Sequence, residues 1–135
     1  MLRNPLSTVV IADPDPEYQR YIASLLEPNF RCLAASTLRE AYESILRERP
    51  ALLTLELAQP DGDGIAFIQY LQGEPGLQHI LIACITKRAA ITDKVRAFRA
   101  GADDYLVKPI HGPTFCGQML LLRRTGHMAR NFSKK

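Results

Sequence analysis

The stretch from Ala51 to Leu57, ALLTLEL, constrains this chain more than any other. Near-continuous apolar runs of this length belong to parallel strands covered on both faces. One carboxylate, Glu56, stands inside the run. Directly behind it comes the loop Ala58-Gln59-Pro60-Asp61-Gly62-Asp63-Gly64, whose Pro, Asp and Gly mark the exit from a strand. A charge at the carboxyl end of a buried parallel strand stands where open α/β folds place their ligand chemistry. Glu56 is therefore the first candidate site residue.

The rest of the chain supplies the partners of that strand. Ser7 to Ala12 is a short β-branched run, broken by Asp13-Pro14-Asp15-Pro16, with Asp15 suited to cap a helix and Pro16 to its first position. Tyr18, Tyr21, Ile22, Leu25 and Leu26 then recur at three-and-four spacing, one helical stripe that stops near Pro28. Phe30 to Ala35 reads as a second strand. Ser36 or Thr37 caps a second helix with Leu38, Ala41, Tyr42, Ile45 and Leu46 inward, ending before Pro50. A short helix over Gly64 to Gln72 buries Ile65, Ile68 and Leu71. His79 to Ile85 forms a wholly apolar fourth strand, ending at Thr86. A helix through Ile91, Val95 and Phe98 closes at Gly101, and Tyr105 to Val107 is a short fifth strand stopped by Lys108-Pro109. The last helix runs from about Gly112 to Arg124, with Phe115, Met119, Leu120 and Leu122 available for packing.

Five strands alternating with five helices predict a three-layer α/β/α sandwich around a parallel sheet. Right-handed crossovers favour the flavodoxin-like strand order 2-1-3-4-5. That order brings Asp13, Glu56 and Thr86 together at the strand ends, with Lys108 arriving from the fifth strand.

A length of 135 residues suits one domain, and 47% hydrophobic with 23% charged residues is a globular composition. No apolar run nears the roughly 20 residues that span a bilayer. The opening MLRNPLS lacks the apolar core of a secretory signal, so a cytoplasmic location is expected. Cys32, Cys84 and Cys116 are odd in number and widely spaced, reading as small buried hydrophobes in a reducing compartment. His79, His111 and His127 show no paired spacing, so no zinc site is expected. Asp61 and Asp63 lack calcium-loop spacing and read as turn residues and a helix cap. A net charge of +3 is too mild to argue for a nucleic-acid partner; the basic end of Arg123, Arg124, His127, Arg130, Lys134 and Lys135 reads as a solvated helix terminus.

These residues resemble the receiver domain of bacterial two-component response regulators, the CheY-like superfamily, from about Ser7 to Arg124. Four landmarks carry the likeness: the acidic turn Asp13-Pro14-Asp15, Glu56 followed through Pro60 to Asp63-Gly64, Thr86, and Tyr105 to Pro109. The resemblance implies a signalling module, not an enzyme in its own right, fed by phosphoryl transfer from a histidine kinase to an Asp on the third strand. It implies Mg²⁺ held by two acids after the first strand, by that Asp and by the carbonyl two residues on. It also implies a Thr and a Lys on the phosphoryl oxygens, and a Tyr or Phe that moves inward with the Thr.

Three positions depart from the pattern. Glu56 replaces the acceptor Asp, carrying its carboxylate about 1.5 Å further and spoiling the in-line geometry of phosphoryl transfer. Pro14 takes the place of the second acid and offers no side-chain oxygen, leaving a degenerate metal site of Asp13, Glu56 and Ala58; Asp15 is the only other acid of that pocket. Lys87 puts a long cation where the family has a small residue. Lys108 remains opposite Glu56, so a metal-free pair is expected, and no cofactor is expected. The carboxylate then stands as a partial mimic of a phosphoryl group, with about one charge against roughly 1.5 to 2.

The reading is an atypical, pseudo-receiver module that is not phosphorylated and acts through protein contacts. The contact face is the fourth helix, fifth strand and fifth helix, around Lys94, Phe98, Tyr105 and Met119. A histidine kinase, an effector domain or a second copy would dock there, with no membrane or direct nucleic-acid contact. Residues 1–6 and 128–135 read as tail or linker around a domain of 7–127. Two alternatives stand beside it: a conventional Mg²⁺-dependent phosphoacceptor, and a nucleotide- or flavin-binding enzyme on the same fold. Against the last, the loop Asp13-Pro14-Asp15-Pro16 repels phosphate and its prolines donate nothing.

Overall fold

The computed structural model describes residues 6–133, with side chains through residue 125. The elements run β1 (Ser7–Ala12), α1 (Pro16–Leu26), β2 (Phe30–Ala35), α2 (Leu38–Glu48), β3 (Leu52–Leu55), the small strands β4 (Ala58–Gln59) and β5 (Gly62–Asp63), α3 (Gly64–Gly73), β6 (Leu81–Thr86), α4 (Ile91–Ala100), β7 (Asp104–Val107) and α5 (Gly112–Ser133). The main sheet has the order β2-β1-β3-β6-β7, every pairing parallel, which is the predicted five-stranded arrangement. β4 and β5 form a separate antiparallel hairpin inside what the sequence presents as a plain loop.

Alternation along the strands sorts the core into two layers. Val10, Ala12, Leu53, Leu55, Ile82 and Cys84 face α2, α3 and α4. Val9, Ile11, Leu52, Leu81, Ala83 and Ile85 face α1 and α5, where Ile22, Leu26, Phe115 and Met119 meet them. Both faces are covered, so the central strands β3 and β6 are buried at every position, Thr54 included.

Helix starts follow the predicted chemistry. Asp15 accepts from the Glu17 N–H, Thr37 from the Glu40 N–H and Asp63 from the Ala66 N–H. Several boundaries and faces differ. The fourth sheet strand begins at Leu81 rather than His79, because a turn with Gly76 at φ +86° holds the chain through the Ile80 N–H, which donates to Leu77 O at 3.3 Å. Leu46 is 49% exposed, so the inner face of α2 is narrower than its five-residue stripe. Tyr21 and Leu120 are also partly exposed, at 40% and 38%. The last helix passes Arg124 and enters the expected tail, running to Ser133. A single Gly126 costs a helix only about 1 kcal/mol, and no proline follows to stop it. Residues 1–5, Lys134, Lys135 and the basic side chains beyond Thr125 lie outside the described residues.

Candidate functional site

The ladder hydrogen bonds continue one residue past the strand ends, and this delivers the site. Ala12 pairs with Leu55 and Thr86 with Val107, so Asp13, Glu56 and Lys108 each occupy the first position beyond a strand. The Asp13 N–H donates to Ala35 O, the Glu56 N–H to Ala12 O, and the Lys108 N–H to Thr86 O, at 3.0, 2.9 and 2.8 Å. Their backbones are thereby as fixed as the sheet itself. Asp13, Glu56 and Thr86 are all buried.

Four donors converge on the Glu56 carboxylate. The Thr86 hydroxyl donates to Oε2 in a short hydrogen bond, and the Ala58 N–H reaches the same oxygen at 3.3 Å. The Lys87 N–H donates to Oε1 at 3.4 Å, and the Lys108 ammonium stands 3.1 Å from it. Burial pushes the Glu56 carboxyl up, but the Thr86 hydroxyl and the Lys108 ammonium outweigh it and hold the group below the ordinary glutamate value. Glu56 is thus a fixed anion. Lys87 contributes its backbone only; its side chain is in solvent.

Lys108 also stands 2.7 Å from Asp13 Oδ2. Burial works to lower its value, while hydrogen bonds to Asp13 and Glu56 dominate and raise it. Lys108 and Glu56 therefore stabilise one another's charged forms. Removing one partner of such a buried cluster typically costs about 3–5 kcal/mol. The face of the Tyr18 ring lies 4.1 Å from the same ammonium. The Lys108–Pro109 bond, whose isomer the sequence leaves open, is cis.

A second chain of contacts leads away from Glu56 toward α4. Thr86 Oγ1 accepts from the Arg88 N–H at 3.2 Å, and Arg88 O accepts from the Tyr105 hydroxyl at 2.8 Å. Tyr105 is turned inward, 7% exposed; burial, then Asp93, push its phenol up to about 12. The Arg88 guanidinium donates to Asp63 Oδ1 at 2.9 Å and lies 4.0 Å from Asp93 on α4. Arg88 so joins the β6–α4 segment to the loop behind Glu56.

That loop is closely specified. Gly64 lies against Leu57: a Cβ on it would fall 2.7 Å from the Leu57 Cα. Asp61 reaches across to accept from the Leu38 and Arg39 N–H groups at the start of α2, which hold its carboxyl below the ordinary range. The Gln59 amide donates to Ala12 O and Glu56 O at 3.2 and 2.9 Å.

Of the residues read from sequence, Asp13, Glu56, Thr86 and Lys108 come together directly, and Tyr105 joins through Arg88. Asp15 does not enter the pocket. It is exposed, its carboxylate spent on the cap of α1, while its N–H donates to Asp13 Oδ1 at 2.9 Å. Tyr18, Gln59 and Arg88 are the residues that sequence reasoning missed, and Asp61, read from sequence as a turn residue, also caps α2. Only Tyr18 carries a sequence signal, as the aromatic of the α1 stripe nearest the acidic turn.

Mg²⁺ requires a near-octahedral set of oxygens. Here Pro14 supplies none, and Asp13 and Glu56 already face an ammonium with one oxygen each. Their remaining oxygens accept from the Asp15 N–H, the Ala58 N–H and the Thr86 hydroxyl. The donor set does not fit the ion. Among the described residues no cluster of three His, Cys, Asp or Glu side chains suited to a metal is found, and no helix is long and apolar enough to cross a membrane.

Known proteins of the same build agree on where this chain belongs. It is 34% identical over 105 residues to the KDP operon transcriptional regulatory protein KdpE of Escherichia coli, covering 77% of this chain and 45% of that protein. It is 29% identical over 121 residues to the phosphate regulon transcriptional regulatory protein PhoB of Pseudomonas aeruginosa, covering 88% and 53%. The chain thus spans about half the length of these curated relatives. Among solved structures, a CheY-like response regulator receiver domain protein from Methanospirillum hungatei superposes with a TM-score of 0.81 over 90% of this chain and 96% of that one, at 22% identity. The family model for the response regulator receiver domain matches residues 9–118, and with the fold and the strand-end cluster this makes the chain a member of that family.

Proposed function

We propose that this chain is a two-component receiver module that signals without being phosphorylated, with the Glu56 carboxylate in permanent occupation of the phosphoryl position. The observation that carries the reading is the joint placement of Thr86 and Tyr105. The Thr86 hydroxyl donates to Glu56, and the Tyr105 ring is buried with its hydroxyl on Arg88 O. Both are drawn inward, the arrangement that accompanies the phosphoryl group in the receivers this chain resembles.

The chemistry follows from the contacts. Attack on a phosphodonor needs a carboxylate oxygen free to approach in line. Both Glu56 oxygens are engaged, and the group is buried. The same contacts let a single negative charge hold Thr86. Ile91, Val95 and Phe98 on α4, with Val107 on β7, are all at least 40% exposed and form the surface offered to a protein partner (a histidine kinase, an effector domain or a second copy), whereas Tyr105 and Met119, expected on this face, are buried.

Intact mass after incubation with acetyl phosphate and Mg²⁺ tests the reading. The expected result is an unmodified chain; a stable phosphoryl adduct overturns it in favour of a conventional acceptor. A second readout is the environment of Tyr105. Glu56→Gln removes the charge that holds Thr86, and the Tyr105 ring resonance should shift toward that of an exposed tyrosine. No shift means that Glu56 does not set the switch.

A further inference from the structure

Three groups from three elements close on the Lys108 ammonium. Asp13 follows β1, Glu56 follows β3, and Tyr18 presents its ring from α1, at 2.7 Å, 3.1 Å and 4.1 Å to the centroid. The side chains of Lys108, Asp13 and Glu56 are 7%, 3% and 7% exposed, so the cation is withdrawn from water on every side that these groups cover. The Tyr18 ring is itself held in place. Its hydroxyl accepts from the Ile110 N–H at 3.3 Å, two residues past Lys108, and the Tyr21 ring packs edge-on at 5.5 Å. A desolvated ammonium over an aromatic face is attracted by the ring's negative potential, more strongly than at an exposed site.

From this arrangement we infer that the strand-end pocket is a cation site filled by the chain's own ammonium, with Tyr18 as the residue that positions it, and that this internal cation excludes divalent metal. The inference rests on the reading of Glu56 as a permanent anion. Two carboxylates facing each other need one positive charge between them. Lys108 supplies it covalently, and a metal entering the same space would have to expel a buried ammonium or sit against it. A divalent ion gains nothing at Pro14 to offset that repulsion. Tyr18 matters because a lysine has four rotatable bonds. Without the ring beneath it, the ammonium is free to swing toward solvent and open the carboxylates.

Mn²⁺ titration of the full chain, followed by the electron paramagnetic signal of the free ion, tests this. Wild type should bind Mn²⁺ only weakly, with half-saturation at the high end of the titration. Lys108→Met, which keeps the unbranched stem but ends one atom short and removes the charge, should bind about tenfold tighter or more, the scale on which groups around a metal site alter its affinity. Tyr18→Leu should gain roughly threefold, as a lost cation–π contact allows, while Tyr18→Phe, which keeps the ring face and loses only the hydroxyl's bond to Ile110, should gain clearly less. Wild type binding Mn²⁺ as well as Lys108→Met does, or no gain in Lys108→Met, overturns the inference. Should circular dichroism show that Lys108→Met is unfolded, the Tyr18 pair decides: equal affinity in Leu and Phe variants overturns it. The phosphodonor experiment reads Glu56 separately. A failed Mn²⁺ prediction without a phosphoryl adduct removes only the internal-cation argument, whereas an adduct removes the permanent-anion reading beneath it.

Discussion

Helices α2 and α4 pack on the same side of the sheet and are nearly equal in length, 11 and 10 residues, yet they are held by different means. α2 buries Leu38, Ala41, Ser44 and Ile45, and its first turn is capped by both Thr37 and Asp61. α4 buries only Ala97 and Ala100, and its N-cap, Ala90, has no side-chain hydrogen bond to give. What secures the start of α4 lies in the segment ahead of it: Arg88 to Asp93 and Asp63, and the Tyr105 hydroxyl to Arg88 O. One helix is anchored by apolar burial, which does not depend on the site. The other is anchored by polar contacts that trace back to Glu56. In a signalling module the second kind of helix is the one a change of charge can move.

The comparison can be broken at its strong end first. Ile45 is fully buried, and Ile45→Ala should destabilise the fold by about 2–5 kcal/mol in urea unfolding, the usual cost of a deleted core side chain. A loss under about 1 kcal/mol would mean that α2 is not the better-packed helix. At α4, Ala90 already has the extended backbone of an N-cap, so Ala90→Ser should add about 1 kcal/mol and slow amide exchange in the first turn.

Acid sharpens the contrast further. Glu56 has a lowered value in the folded state, so its contribution is present above the ordinary glutamate value of 4.5 and is lost as pH falls through the lower folded value. Exchange in α4 and the β6–α4 segment should rise there before exchange in α2 does. Simultaneous loosening would separate α4 from the site. Lys108 runs oppositely: its value is raised, so its contribution is lost only above its ordinary 10.5, as pH rises through the folded value. The smallest expected effect on stability is Ile91→Ser. At 78% exposure it should shift stability by no more than about 0.5 kcal/mol while weakening capture of any partner that uses this face.

Much of this is legible in the sequence. The run from Ile80 to Ile85 is apolar on both faces, which only a doubly covered strand requires, and the alternation of strands and helices left few orders for the sheet. From that order alone, the approach of Glu56, Thr86 and Lys108 follows. The side α4 turns to the sheet was not legible. Ile91, Val95 and Phe98 have helical spacing, but spacing does not say which stripe faces inward, and here the small Ala97 and Ala100 do. Asp13 is readable as a site residue but not as a partner of Lys108, and sequence does not show that Asp15 caps α1 instead of lining the pocket. Arg88 acts through contacts between segments distant in sequence, and Tyr18, legible as an aromatic of the α1 stripe, gives no local sign that its ring meets Lys108.

Gly64 carries a consequence beyond its own turn. With 2.7 Å between its missing methyl and the Leu57 Cα, the smallest side chain there would have to push the backbone next to Glu56. The location of the charge is thus calibrated by an empty volume eight residues downstream. A library that randomises the carboxylate alone samples its chemistry, whereas one that randomises Gly64 samples its coordinates. Substitutions at the glycine should mimic loss of the acid while leaving the acid intact.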